Sequence, residues 1–214
     1  MAEIMEGTSM LQTDTEKREA RTLSPYAEKY KWQFEAYHPS LQAVLPAVKQ
    51  FVSDVLNREK PYWLSILGPS GVGKTHILKQ AYRMLSRNEH LWPIQRFGAK
   101  NELLSEHMPQ CAHIIPGMDL DDWKAPKDYG NYDLIYVEDI GAGAGTERGA
   151  GAVTISRVAE LLQYRTGRWT LLCANKSMAQ VAKDLDPRIA SRLVRDGSVL
   201  IELPADVPDF HIRG

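Results

Sequence analysis

From Pro39 onward the apolar positions fall into a regular order. Leu41, Val44, Leu45, Val48, Phe51, Val52 and Val55 recur every three or four residues, the spacing of a helix with one buried face. Ser40 stands where a cap would, and Pro46 must either kink this helix or mark its true start. The period then changes. YWLSIL (62–67) is a near-continuous apolar run, as expected of a strand buried on both faces, and Ile77, Leu78, Ala81, Met84 and Leu85 form the inner face of the next helix. LWPIQRF (91–97) reads as a second strand, with Pro93 pointing to a sheet edge. DLIYV (133–137), WTLLCA (169–174) and SVLIEL (198–203) are the third, fourth and fifth. Helical stretches separate most of them, so the pattern predicts an α/β fold with a parallel sheet covered on both faces. Residues 1–23 are polar and weakly patterned. Residues 1–38 are therefore expected to be a flexible or short helical segment that docks a partner, with Trp32, Phe34 and Tyr37 on an amphipathic helix, ahead of a domain at 39–214. No internal repeat occurs, and the one low-complexity stretch is GAGAGTERGAGA (141–152).

Composition narrows the class. A chain of 214 residues is long enough for one well-buried domain and short for two. Hydrophobic residues at 43% and charged residues at 25% are the balance of a soluble globular protein. The net charge of −1 announces no nucleic-acid partner by itself. No apolar run is long enough to cross a bilayer, and the N-terminus has no apolar core behind a basic start. Cys111 and Cys173 are isolated and lack metal-ligand spacing, which fits reduced thiols and a cytoplasmic location.

The chemistry is concentrated in GPSGVGKT (68–75). Gly68, Gly73, Lys74 and Thr75 satisfy GxxxxGK[ST], with Pro69, Ser70, Gly71 and Val72 inside the loop and His76 directly after it. Composition alone should produce this pattern in roughly one chain in a hundred of this length. Here it also follows an expected strand and opens an expected helix, the context a phosphate loop requires. Glycines let backbone N–H groups curl around phosphates, Lys74 can reach the β- and γ-phosphates of ATP or ADP, and the Thr75 hydroxyl can hold Mg²⁺. The third strand ends in Glu138 and Asp139, which places paired carboxylates beside the loop. One would organise Mg²⁺ and the other would orient and deprotonate the attacking water. Asn175, after the fourth strand, could sense a γ-phosphate. In DPRIASRL, Asp186 caps a short helix, Pro187 starts it, and Arg188 and Arg192 share one face. Each feature has a bland counterpart: solvated acids, a turn asparagine, a solvated arginine face. The phosphate loop upstream favours the chemical readings.

Taken in order, GPSGVGKTH, LIYVEDIG, LLCANKS and DPRIASRL resemble an AAA+ ATPase of the DnaA/DnaC/IstB clade, most like DnaC-type helicase loaders and IstB-type transposition ATPases. The likeness spans about residues 40–214 and includes LLQYRTGRW before the fourth strand. It implies a P-loop NTPase three-layer sandwich with strand order 5-1-4-3-2 and no C-terminal helical lid. It also implies Walker B acids at Glu138 and Asp139, sensor 1 at Asn175, a trans-acting finger at Arg192 and a terminal sensor arginine at Arg213. The acids stand in the reverse of the usual Asp-Glu order, which points to slow or absent hydrolysis.

Charge is unevenly spread. Residues 148–195 carry nine Lys/Arg against three acids, +6, and residues 102–147 carry two against ten, −8. Such a chain could stack head to tail as an ATP-dependent homo-oligomer, or the two halves could neutralise each other within one molecule. Arg148 and Arg157 flank the glycine-rich stretch and are the candidates for contact with single-stranded DNA. The expected function is a replication ATPase that loads or adapts a replicative helicase, away from any membrane. The alternatives are a transposition ATPase on duplex DNA, a nucleotide-gated module without turnover, and a small-molecule kinase.

Overall fold

The computed structural model describes residues 23–120, 126–141, 150–195 and 197–212. The chain enters through a short helix begun by a proline, α1 (Pro25–Lys29), and α2 (Val44–Leu56) follows. Pro46 marks the start of α2 and does not kink it, since a proline costs no hydrogen bond in a first turn. The expected cap at Ser40 is displaced: Ser40 lies in a 3₁₀ turn (Pro39–Leu41), and Ala43 precedes the helix without a side-chain bond. Strand β1 (Trp63–Leu67) runs into α3 (Lys74–Arg87). Next come β2 (Ile94–Phe97), β3 (Leu103–His107), β4 (Cys111–Ile114), and the short helices α4 (Pro116–Asp119) and α5 (Pro126–Gly130). Strand β5 (Leu134–Val137), α6 (Ala150–Gln163), β6 (Trp169–Ala174), α7 (Met178–Gln180), α8 (Pro187–Leu193) and β7 (Val199–Glu202) complete the fold.

The main sheet is parallel throughout, in the order β4-β5-β6-β1-β7. Counting its strands along the chain, this is the expected 5-1-4-3-2. The second of those strands is β4, however, and not LWPIQRF. The latter segment forms β2, which pairs antiparallel with β3 in a separate two-stranded ribbon. The reason is local: β4 has only four residues and includes Cys111 and His113, so its apolar signal is weak. LWPIQRF, by contrast, owes its apolar look to Trp92, which is buried before the strand begins and donates its indole N–H to the Leu85 carbonyl.

The sheet separates two cores. Leu64, Ile66, Tyr136, Leu171 and Cys173 pack against α2 and α3, and Ile135, Val137, Leu172 and Leu200 pack against α6 and α8. Phe51, Tyr62 and Trp169 close the first core edge to face at 5.2–5.3 Å. Behind the second lies Arg165, fully buried at 0% exposure. Its guanidinium donates to the carbonyls of Gly130 (3.1 Å), Trp169 (2.6 Å), Asp133 (3.4 Å), Tyr129 (3.5 Å) and Tyr132, and to Thr170 Oγ1 (3.2 Å). It ties the α5–β5 connection to β6 and contributes nothing to the surface charge counted above. Lys176 is likewise paired with Asp184 at 3.1 Å and Arg188 with Asp186 at 2.6 Å. Both acids are among the three already counted in residues 148–195, so these pairs leave the +6 unchanged, and it is the burial of Arg165 that withdraws one charge from the surface.

Candidate active site

The loop 68–73 leaves β1 at its C-terminal end, where the apolar strand can no longer continue and the glycines permit a reversal. Two of them are required: a Cβ on Gly68 (φ 137°) would lie 2.7 Å from Leu203 Cβ and 2.8 Å from its carbonyl oxygen, and Gly71 has a φ of 73° that other residues rarely adopt. Gly73 then caps α3, and among the described residues no side chain bonds the first N–H groups of that helix. A helix start with open donors attracts an anion.

Lys74 is buried and points back across the loop. Its ammonium donates to the carbonyls of Gly68 (3.0 Å) and Pro69 and to Asn175 Oδ1 (2.8 Å). Burial lowers its pKa, opposed by Cys173 and Asp139 nearby. Asn175 in turn donates from Nδ2 to Asp139 Oδ2 (2.6 Å) and from its backbone N–H to Oδ1 (3.3 Å). Lys74, Asn175 and Asp139, separated by up to 101 residues of sequence, thus form one hydrogen-bonded chain. Asp139 has φ 42°, left-handed backbone that is uncommon for a residue other than glycine.

The two acids part company. Glu138 turns towards the α3 side, where Oε2 meets His113 Nε2 at 2.6 Å and Lys79 Nζ at 3.7 Å. The His113 ring stacks on Tyr136 at 4.8 Å. The Thr75 hydroxyl lies 3.7 Å from the Cys173 thiol. Arg192 is elsewhere: it lies at the start of β1, in a small depression with Trp63 and Arg195, and donates to the Ala159 carbonyl at 3.2 Å. Partial burial, then Arg195 and Arg188, lower its pKa. Arg157 donates to the Leu120 carbonyl and is half-buried. Arg148 and Arg213 lie outside the described residues.

A cavity of about 740 Å³ opens over the loop, lined by Ser70 to His76, Lys79 and Asn175. Its remaining wall was not anticipated. Residues 31–37 form neither a helix nor a strand, so the expected amphipathic helix is not found. Trp32 is pinned to the Ala27 carbonyl (2.9 Å), and Gln33 exchanges backbone bonds with the Gln80 amide (2.8 and 2.9 Å). Phe34 then sits against Gly73, and Tyr37 donates to the Pro208 carbonyl at 2.6 Å and meets Phe210 edge-on at 5.5 Å. Phe34, Tyr37, Phe210 and His211 line the cavity. Their aromatic clustering at both ends of the described chain was the available sequence signal, but nothing in the spacing says that the two ends meet.

The donor set suits Mg²⁺, which takes one or two protein oxygens and completes its shell with phosphate and water. Of the oxygen donors expected to hold it, Thr75 lines the cavity, whereas Glu138 is engaged by His113 and Lys79.

No protein-family model and no curated protein matches the sequence. Solved structures do match. A crystal structure of DnaI aligns with 86% of this chain and 88% of its own at 15% identity and a TM-score of 0.52. The RuvB Holliday junction branch migration motor of Thermotoga maritima aligns with 74% of this chain and 44% of its own, at 15% identity and a TM-score of 0.35. The likeness to DnaI shows the fold alone, a parallel α/β sheet of the P-loop NTPase kind. RuvB at its score adds nothing to that.

Proposed function

We propose that this protein binds ATP with Mg²⁺ over the loop 68–75, hydrolyses it, and acts in DNA replication as a helicase loader or adaptor. The observation that supports this most is the chain Lys74–Asn175–Asp139. It joins a phosphate-binding cation, a polar sensor and a carboxylate base across three separate elements. In this reading the open N–H groups of α3 and Lys74 hold the phosphates, and Lys74 exchanges its carbonyl partners for phosphate oxygens. Asn175 fixes the Asp139 carboxylate, which takes a proton from water. Thr75 and Glu138 would hold Mg²⁺, which supplies neutralisation of phosphate charge when bound. Phe34 and Tyr37, which line the cavity, would face the base. Stacking on an aromatic ring contributes about 1–3 kcal/mol per base, so Phe34→Ala is expected to raise the KM for ATP about tenfold with little change in kcat.

Arg192 lies at the opposite end of the strands from the cavity, so in this reading it serves a neighbour's nucleotide. Steady-state phosphate release measured against protein concentration, with and without single-stranded DNA, tests this. Turnover should rise cooperatively and fall at least a hundredfold in Arg192→Ala, with ATP binding retained. Turnover linear in protein and indifferent to Arg192 would end the assembly model. One observation favours the second reading, a nucleotide-gated module without turnover: Glu138 is already engaged by His113 and Lys79. Tight ATP binding with no phosphate release would select it.

A further inference from the structure

We propose that Cys173 is a positioning residue for the nucleotide site, its thiol joining the Thr75 hydroxyl to the left-handed backbone of Asp139. The proposal rests on the nucleotide reading above and concerns how its two halves are held in register. Cys173 lies on β6 between the strand that carries the loop and the strand that carries the acids. Its sulfur has three polar neighbours. The Asp139 N–H donates to it at 3.5 Å, and the Thr75 and Tyr136 hydroxyls each lie at 3.7 Å. The Cys173 carbonyl also accepts the Ile140 N–H at 3.1 Å, so both residues of the turn after Glu138 hang from Cys173.

The Asp139 N–H can only donate, and in a half-buried turn it needs an acceptor. Tyr136 reaches the Thr75 carbonyl at 3.4 Å and donates there. In this proposal the thiol hydrogen goes to the Tyr136 oxygen, which leaves the sulfur to accept from Thr75. With its hydrogen directed at sulfur, the Thr75 oxygen presents its lone pairs to the cavity. Burial raises the thiol pKa, so the group stays a neutral donor and acceptor, and at 1% exposure it is no site of oxidation. Sulfur suits the task because it is large and soft and can touch partners on β5 and α3 at once. The left-handed Asp139 carries a carboxylate one methylene shorter than the usual base. The turn that Cys173 holds brings that short side chain to 2.6 Å from Asn175.

The test compares wild type, Cys173→Ala and Cys173→Ser. Three quantities are measured: the melting temperature, the affinity for a fluorescent ATP analogue with and without Mg²⁺, and steady-state kcat and KM. For Cys173→Ala we expect the Mg²⁺-free affinity to stay within about twofold. The gain in affinity on adding Mg²⁺ should shrink at least fivefold, and kcat should fall about tenfold with KM little changed, less than the loss of a direct transition-state donor. Cys173→Ser keeps an acceptor and a hydroxyl hydrogen and should recover most of both. A Cys173→Ala protein with wild-type Mg²⁺ gain and wild-type kcat overturns the proposal. So do equal losses in Ala and Ser that track a lowered melting temperature, since these report packing alone. If wild type binds the analogue but releases no phosphate, the Mg²⁺ gain still decides the role of Cys173. A wild type that binds no nucleotide defeats the functional reading itself and the inference with it.

Discussion

Asp139→Asn is expected to lower the turnover of ATP by two to three orders of magnitude while leaving ATP affinity within about twofold. The substitution changes charge and proton affinity and removes one of the two hydrogen bonds that the carboxylate accepts from Asn175. Asparagine has the same size, tolerates left-handed backbone better than most residues, and keeps an oxygen for the Asn175 N–H. What it loses is the carboxylate that can take a proton from water and the charge that faces Lys74 across Asn175. Binding should survive because Lys74, Thr75 and the helix start are untouched. Phosphate release and analogue binding on the same preparation separate the two effects. Turnover undiminished in this variant would remove Asp139 from the role of base and shift attention to Glu138. The reverse order of the acids would then have a functional meaning opposite to the one argued here.

Arg165→Ala should destabilise the fold by about 3–5 kcal/mol, a drop in Tm on the order of 10 °C. The side chain is fully buried and serves five carbonyls and one hydroxyl, so truncation leaves several buried acceptors without donors and opens a cavity. Lysine should recover only part of this, because a single ammonium on a flexible stem cannot span the fork of acceptors that a planar guanidinium reaches. The dependence on pH follows from the direction of the shift. Burial holds the guanidinium well below its ordinary value, down to about 9, so the unfolded chain binds this proton more tightly than the folded one. The penalty is therefore constant at every pH below about 9 and relaxes only above it. The stability difference between wild type and Arg165→Ala should be flat from pH 5 to 8, measured by thermal or denaturant unfolding. A difference under 1 kcal/mol would mean that the carbonyls find other donors.

Legible in the sequence were the phosphate loop, the helix behind it and four of the five strands of the main sheet, β1, β5, β6 and β7. All of these are written in short-range periodicity: five apolar positions on α3, apolar runs in β1, β5, β6 and β7, and glycines where the backbone must turn sharply. The parallel order of the sheet was legible for the same reason, since strands alternating with helices leave few ways to cover both faces. The tertiary structure alone decided the rest. β4 entered the sheet although its four residues carry a cysteine and a histidine, because an edge strand needs backbone pairing more than apolar side chains. Arg165 went inside because six acceptors converge on it from two stretches, residues 129–133 and the start of β6, which no local pattern records. Phe34, Tyr37 and Phe210 came together over the loop across more than 170 residues. Glu138 and Asp139, adjacent in the chain, were sent to different partners by one left-handed residue. Spacing along a chain reports which face a side chain takes within its own element. Which distant element meets that face is set by packing and by the pairing of buried polar groups, and it was there that the site acquired its walls and its geometry.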